Sequence, residues 1–274
     1  MSNYIYCHLG QLPPNYLLDS IKSVKNIDTN AIIFLITDQN IQIENVYILP
    51  VSSIISKQTL QVMKMKLFKN ESNPLWRTSI FRIFLIRDAI KYLGISFCYH
   101  FDSDVLMFVP SNDFESNISD FDGLYITPCN LNEYVFGFSR FGSLVKSEAI
   151  CDILYKIIFN RFLRRKYYVT MPNEMQFLAG IAKRRPDLIK TLSVIPNFDI
   201  KYIFDPSSYG QFFGGTHAGN SPGFAHISHY IGEQILNENI FPQIIDNKPF
   251  VMYDNKRFPI VNLHIHSKKT NLFF

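Results

Sequence analysis

The sequence predicts an α/β protein whose mostly parallel central sheet is flanked by helices. Three observations carry that expectation. Short, wholly apolar segments alternate with amphipathic ones through the first half of the chain, the rhythm of strands joined by helical crossovers. Hydrophobic residues make up 47 % and charged residues 18 % of the 274 positions, ample material for a large core. An acidic Asp102-Ser103-Asp104 triplet interrupts one of the most apolar stretches. Parallel α/β sheets collect ligands where strands end, so that interruption marks a candidate site.

Taken in order, residues 4–9 read as a strand, 16–24 as a helix, and 31–37 as a buried strand ending at Asp38. A further short strand is expected at 46–51. Asn73 and Pro74 read as an N-cap with proline in the first helical position, opening a helix over 76–93 that Gly94 stops. That helix leads into an apolar strand over 95–101, and apolar character resumes over 105–109. Residues 123–127 and 134–138 are short strand candidates. A long helix is expected over 143–166, ending in Arg161, Arg164, Arg165 and Lys166, and a shorter one over 173–185, stopped by Pro186. Residues 204–223, rich in Gly, Ser and Pro, read as loop, and 259–267 as a final strand. No repeat or linker divides the chain, so one domain over 1–274 is expected.

Composition excludes several classes. A net charge of +4 suits an anionic ligand but is too mild for nucleic acid. Cys7, Cys98, Cys129 and Cys151 stand without metal or disulfide spacing, as buried thiols in a reducing compartment do. The start lacks a basic segment followed by an apolar core, and apolar runs fall short of the ~18 residues that span a bilayer. A cytoplasmic protein, soluble or membrane-peripheral, is expected. The basic end of the 143–166 helix could rest on an anionic membrane or simply complement the helix dipole.

Two constellations carry chemistry. On a strand, residues i and i+2 project to one face, so Asp102 and Asp104 would point together from an apolar setting. Two like charges there are costly unless something positive lies between them. A divalent cation bridging the carboxylates to a polyphosphate meets that need. The second is Asn262-Leu263-His264-Ile265-His266-Ser267-Lys268. His264 and His266 would share a strand face, one imidazole completing an octahedral site, while Lys268 neutralises a departing pyrophosphate. Mn²⁺ fits mixed oxygen and nitrogen ligation better than Zn²⁺. Residues 204–215 offer Asp205 for hydroxyl contacts and Gly214 and Gly215 for close approach of a sugar. His217, His226 and His229 have no evident partner.

Together the two motifs resemble GT-A-fold glycosyltransferases, in which an apolar strand ends in Asp-x-Asp and a C-terminal His followed by a basic residue completes the metal and diphosphate site. The tail here spaces His and Lys more closely than the lipopolysaccharide galactosyltransferase and glycogenin group does. The resemblance implies a GT-A-like (Rossmann-like) domain, with residues 1–110 binding the nucleotide sugar and 111–274 the acceptor. It implies Asp104 and one of His264 or His266 as ligands of Mn²⁺ or Mg²⁺, and Asp102 with Ser103 at the metal or the ribose. Tyr6, Cys7 and His8 would approach the base and ribose, and Arg77 or Arg82 the donor. Glu174 would stand near the reacting sugar with Gln176 beside it, although a capping box, Asn173 with Gln176, accounts for part of that segment. The implied activity moves a sugar from a nucleotide-diphosphate donor, foremost a UDP-sugar, to a hydroxyl of a glycan or glycolipid. Glu174 or Asp205 is the expected base or stabilising carboxylate, and retention of configuration is mildly favoured. A metal-dependent phosphatase, a nucleotidyltransferase and a non-catalytic carbohydrate-binding protein are the alternatives.

Overall fold

The computed structural model describes residues 1–65, 75–118, 120–167, 173–214, 216 and 222–273. The expected N-cap at Asn73 and Pro74, and Gly215 and His217, lie outside them. The chain opens with β1 (Asn3–Cys7), α1 (Asn15–Ile27), β2 (Ile32–Thr37) and β3 (Tyr47–Pro50). Two short helices, α2 (Val51–Ile54) and α3 (Lys57–Met63), precede the long α4 (Leu75–Leu93). Gly94 follows α4 with φ +64°, a left-handed stop that glycine adopts freely. Then come β4 (Cys98–Phe101), β5 (Val105–Met107), α5 (Ser111–Phe114), β6 (Leu124–Asn130) and β7 (Glu133–Phe141).

The helix expected over 143–166 is broken into α6 (Leu144–Phe159) and α7 (Arg161–Lys166). Asn160 leaves helical geometry at φ −127° and ψ 109°, and its side chain accepts hydrogen bonds from Phe162 and Leu163 N–H. That is N-cap chemistry in the middle of a helical pattern. The chain continues through α8 (Glu174–Arg184) and β8 (Ile189–Thr191). The expected loop at 204–223 contains a short helix, α9 (Ser208–Phe212). After α10 (Tyr230–Glu238) come β9 (Pro242–Ile245), β10 (Lys248–Tyr253), β11 (Lys256–Pro259) and β12 (Asn262–His264). Of the single final strand expected over 259–267, residues 262–264 form β12, while Pro259 ends β11 in a different sheet.

The main sheet has seven strands in the order β3-β2-β1-β4-β7-β6-β8. Among them β7 alone runs against the rest. Both faces are covered, and alternate side chains enter opposite cores. Ile5 joins a cluster with α4, α6 and α8, whereas Tyr4 and Tyr6 join an aromatic cluster with Tyr99, Phe101, Phe114 and Phe138. The order reverses at β1, which has β2 on one side and β4 on the other. The carboxyl ends of β1 and β4 therefore form a switch point, where open α/β sheets gather ligands.

A two-stranded sheet joins β5 to β12, antiparallel, with His264 opposite Val105. Serines of α1 satisfy the edge of β5 that β12 does not pair: Ser20 Oγ donates to the Val105 carbonyl, and Ser23 Oγ accepts the Met107 N–H at 3.0 Å. Among the described residues no helix is long and apolar enough to cross a membrane.

Candidate functional site

The acidic pair sits on a turn, not on a strand. β4 ends at Phe101, and the Val105 N–H donates to the Asp102 carbonyl at 3.1 Å before β5 begins. The shared-face expectation therefore fails in its geometry, while its result holds by another route. The Asp102 N–H donates to the Gly137 carbonyl of β7 at 2.8 Å, which fixes the start of the turn. The Ile265 N–H donates to the Asp104 carbonyl at 2.8 Å, which fixes its end against the C-terminal segment.

That segment brings the imidazole. His264 Nε2 stands 3.2 Å from Asp104 Oδ1 and 3.9 Å from Asp102 Oδ2. One donor atom from each of Asp102, Asp104 and His264 lies within 4.8 Å of the other two, a group that could hold a metal ion. Beyond β12, Lys268 adopts a left-handed φ of 62° and its ammonium pairs with Asp104. The tail is anchored past this point, where Thr270 Oγ1 donates to Asp19 Oδ2 of α1 at 2.7 Å and Phe273 is buried.

Arg82 of α4 reaches the same group, paired with Asp102 and 3.4 Å from Glu174 Oε1 at the start of α8. Its guanidinium lies 5.4 Å from the centre of the Phe136 ring. Glu174 is buried, and its Oε2 has no hydrogen bond among the described residues. These side chains line one cavity of about 630 Å³. Two protein cations thus face three carboxylates over apolar walls.

The charges set one another. Burial would raise the Asp102 carboxyl, but Arg82 above all holds it down at about 2. Burial acts likewise on Asp104, and His264 and Lys268 outweigh it, leaving that carboxyl well below its usual range. His264 moves the opposite way: burial lowers its pKa, and Asp104 with Asp102 more than restores it. Glu174 stays raised because burial exceeds the pull of Arg82.

The other expected site residues divide. Cys7, His8, Ser103 and His266 line the cavity. The Cys7 thiol is pushed up to about 12 by burial. The His266 ring meets His264 edge-on, centroids 4.4 Å apart, but lies outside the three-residue metal group. Tyr6 is not in the site. Strand alternation turns it into the aromatic core, where its hydroxyl lies 3.0 Å from Ser20 Oγ. Arg77 is exposed and off the cavity wall, which leaves Arg82 as the α4 cation. The Gln176 N–H donates to Asn173 Oδ1 at 2.9 Å, the capping alternative, and Met175 rather than Gln176 lines the wall. Gly214 is likewise off the wall.

Asp205 is corrected most. It is 1 % exposed, and its two oxygens accept backbone N–H groups from Ser207, Tyr209, Gly210 and His264 at 2.8 to 3.0 Å. A carboxylate so engaged has no lone pair left for a substrate hydroxyl. It is the hub that ties α9 to β12.

Sequence reasoning missed several contributors. Asn262 exchanges hydrogen bonds with the Asp205 backbone at 3.0 and 3.2 Å. A Cβ on Gly137 would stand 2.7 Å from His264 Nδ1, and one on Gly210 would stand 2.1 Å from the His264 carbonyl oxygen. His100 places Nδ1 2.8 Å from the Ile5 carbonyl and Nε2 3.6 Å from Asp102 Oδ1. A carbonyl only accepts, so the proton sits on Nδ1. Only His100, in the apolar run beside Asp102, left a mark in the sequence.

No protein-family model matches this sequence, and no curated protein matches it. Among solved structures, mouse xyloside xylosyltransferase 1 in its apo form is similar over 70 % of this chain and 85 % of its own, with 10 % identity and a TM-score of 0.47. The galactosyltransferase LgtC, solved with donor and acceptor sugar analogues, is similar over 83 % and 86 %, with 12 % identity and a TM-score of 0.47. The glycosyltransferase GlyE of Streptococcus pneumoniae TIGR4 matches over 70 % of this chain but 45 % of its own, with 15 % identity and a TM-score of 0.43. Likenesses this distant transfer no chemistry, which rests on the site itself.

Proposed function

We propose that the protein is a metal-dependent glycosyltransferase, moving a sugar from a nucleotide-diphosphate-sugar donor to a hydroxyl acceptor. One observation carries the reading: Asp102, Asp104 and His264 converge beside Arg82 and Lys268 in a cavity at the sheet's switch point. Two hard oxygen donors with one imidazole suit Mn²⁺ or Mg²⁺ and lack the sulfur or extra nitrogen that Zn²⁺ favours. Asp102, Asp104 and His264 would hold such an ion.

In this reading residues 1–110 bind the donor, foremost a UDP-sugar, with Cys7 and His8 toward the nucleotide. Residues 111–274 serve the acceptor, a glycan or glycolipid, and return the tail to the diphosphate. The anomeric carbon's bond to the diphosphate oxygen breaks, its bond to the acceptor oxygen forms, and the acceptor's hydroxyl proton passes to Glu174 or, where Glu174 stays charged, to the departing diphosphate. A bound ion supplies Lewis-acid stabilisation of the departing diphosphate. Lys268 and Arg82 share that negative charge. Glu174, buried with one oxygen unengaged, either takes the acceptor proton or stabilises positive charge at the anomeric carbon. Retention, hence the second role, is the expected outcome by analogy with transferases that carry a C-terminal metal-binding histidine.

The test is calorimetry with UDP and GDP, with and without Mn²⁺, followed by a screen of nucleotide-sugar hydrolysis. Nucleotide binding that needs Mn²⁺ and vanishes in Asp104→Asn is expected. Binding indifferent to metal, or hydrolysis of generic phosphoesters without nucleotide, would overturn the proposal and favour a sugar-binding protein or a phosphatase.

A further inference from the structure

Beside the ion-paired cluster, the same cavity has a wall of different character. It is built from Cys129 on β6, Val135 on β7, Ser207 and Gln211 at α9, and His229, which caps α10. None of these side chains is charged. His229 is held neutral by burial and by His226, whose ring stacks on it at 4.3 Å, and its pKa is lowered to about 4.

The wall is organised rather than incidental. Ser207 is buried and holds φ at +152°, a conformation that L side chains rarely adopt. Asp205 secures it there by accepting its N–H at 2.8 Å. A strained non-glycine residue maintained against a cavity is a pointer to function. The Ser207 hydroxyl accepts from Gln211 Nε2 at 3.3 Å, and Ser208 Oγ lies 2.9 Å from His229 Nδ1. Hydroxyl, amide and neutral imidazole are therefore linked through one short helix. Gly210 of that helix closes on the His264 carbonyl so tightly that an added Cβ would sit 2.1 Å away. The position of this neutral wall is thereby tied to the metal group.

We propose that Ser207, Gln211 and His229 form the acceptor subsite and select an uncharged, hydroxyl-bearing sugar over an anionic acceptor. This rests on the transferase reading and names the substrate class of that site. Each of the three groups both gives and receives hydrogen bonds, as a sugar hydroxyl does. A site of hydrogen-bonding groups, here the buried Ser207 with half-buried Gln211 and His229, rejects a ligand that leaves them unpaired far more strongly than an apolar pocket can.

The experiment measures nucleoside diphosphate release by the full chain with Mn²⁺ and the donor it hydrolyses. The probes are p-nitrophenyl β-glucoside and β-galactoside, which are neutral, and p-nitrophenyl β-glucuronide, which is anionic. Neutral probes should accelerate release by about threefold or more while the glucuronide does not. In Gln211→Leu and His229→Phe the ratio of accelerated to unaccelerated release should fall to about one. Ser207→Gly relieves the backbone and removes the hydroxyl, so its melting temperature should hold or rise while that ratio falls. Equal acceleration by the glucuronide, variants that keep the wild-type ratio, or no acceleration by either neutral probe would overturn the proposal. Failure of all Mn²⁺-dependent donor hydrolysis and nucleotide binding would instead remove the transferase reading, and this inference with it.

Discussion

Gly137→Ala tests the metal group without altering any of its ligands. Gly137 lies in β7 with its bare Cα against the His264 imidazole, where a Cβ would stand 2.7 Å from Nδ1 and 2.9 Å from Cε1. Nδ1 is buried without a hydrogen bond, so packing alone positions the ring on that side. Recovering ordinary contact requires the ring to retreat by about 0.7 Å. Metal sites hold ligand distances to within about 0.2 Å, so the displacement is several times the tolerance. The strand has little freedom to yield instead, because the Gly137 carbonyl accepts the Asp102 N–H and would carry the acidic turn with it. Losing such support typically lowers metal affinity about 10- to 100-fold. Overpacking costs a further ~1–3 kcal/mol of stability. Titration of Mn²⁺ into protein saturated with UDP reads the first quantity, and urea denaturation the second. Gly94→Ala is the control: its Cβ meets nothing within 4 Å, so strain at φ +64° should lower stability and leave Mn²⁺ binding alone. Wild-type Mn²⁺ affinity in Gly137→Ala would refute the argument that His264 is placed by packing at a metal group.

Three further outcomes follow from the same contacts. Asp205→Ala orphans four buried N–H groups at roughly 1 kcal/mol or more each, so a loss of about 4 kcal/mol or greater is expected in urea denaturation. Any activity lost should track the unfolded fraction, whereas loss in fully folded protein would return Asp205 to a chemical role. Arg82→Met leaves Asp102 and Glu174 without their shared cation, and breaking such a buried pair costs about 3–5 kcal/mol. A midpoint shift below about 1 kcal/mol would place the guanidinium in water instead. His229 has a folded pKa of about 4 against an ordinary 6.5, so the unfolded chain takes up its proton first as pH falls. Its contribution is complete above pH 6.5 and lost between 6.5 and 4, about 1–2 kcal/mol after allowing for partial exposure. His229→Asn should flatten the stability profile across that window; an unchanged slope would show the imidazole already solvated.

The first half of the fold was legible because doubly covered parallel strands are nearly continuous apolar runs, and β1, β2 and β4 have few neighbours that imitate them. Legibility failed where apolar spacing and local chemistry disagree. The helical pattern runs through 143–166 without a break, yet Asn160 caps α7 with its own side chain and ends α6. The sheet of β9, β10 and β11 was missed because Lys248, Lys256 and Arg257 blunt any alternation. Its signal was in the turns. Asp246 and Asn247, then Asp254 and Asn255, all take left-handed φ between 47° and 60°, as hairpin turns of this kind require.

The site shows what a sequence can and cannot say about a buried carboxylate. Asp102, Asp104 and Asp205 all sit beside strongly apolar residues, and each announces a charge that must be compensated. What compensates it differs. Arg82, His264 and Lys268 supply positive charge to the first two, from positions 20 to 164 residues away that only the fold brings near. Asp205 is answered by local backbone, and Pro206-Ser207-Ser208-Tyr209-Gly210 gives the reason. Small polar residues let the chain fold its N–H groups around the preceding carboxylate, as Ser207, Tyr209 and Gly210 do. Asp102 and Asp104 are followed by Ser103 and Val105, and the chain then re-enters a strand whose N–H groups are claimed by pairing. A carboxylate whose neighbours can wrap it is scaffold; one whose neighbours are committed elsewhere must find a cation. Parity decides Tyr6 against Cys7 in the same way, since one step along β1 exchanges the core for the cavity.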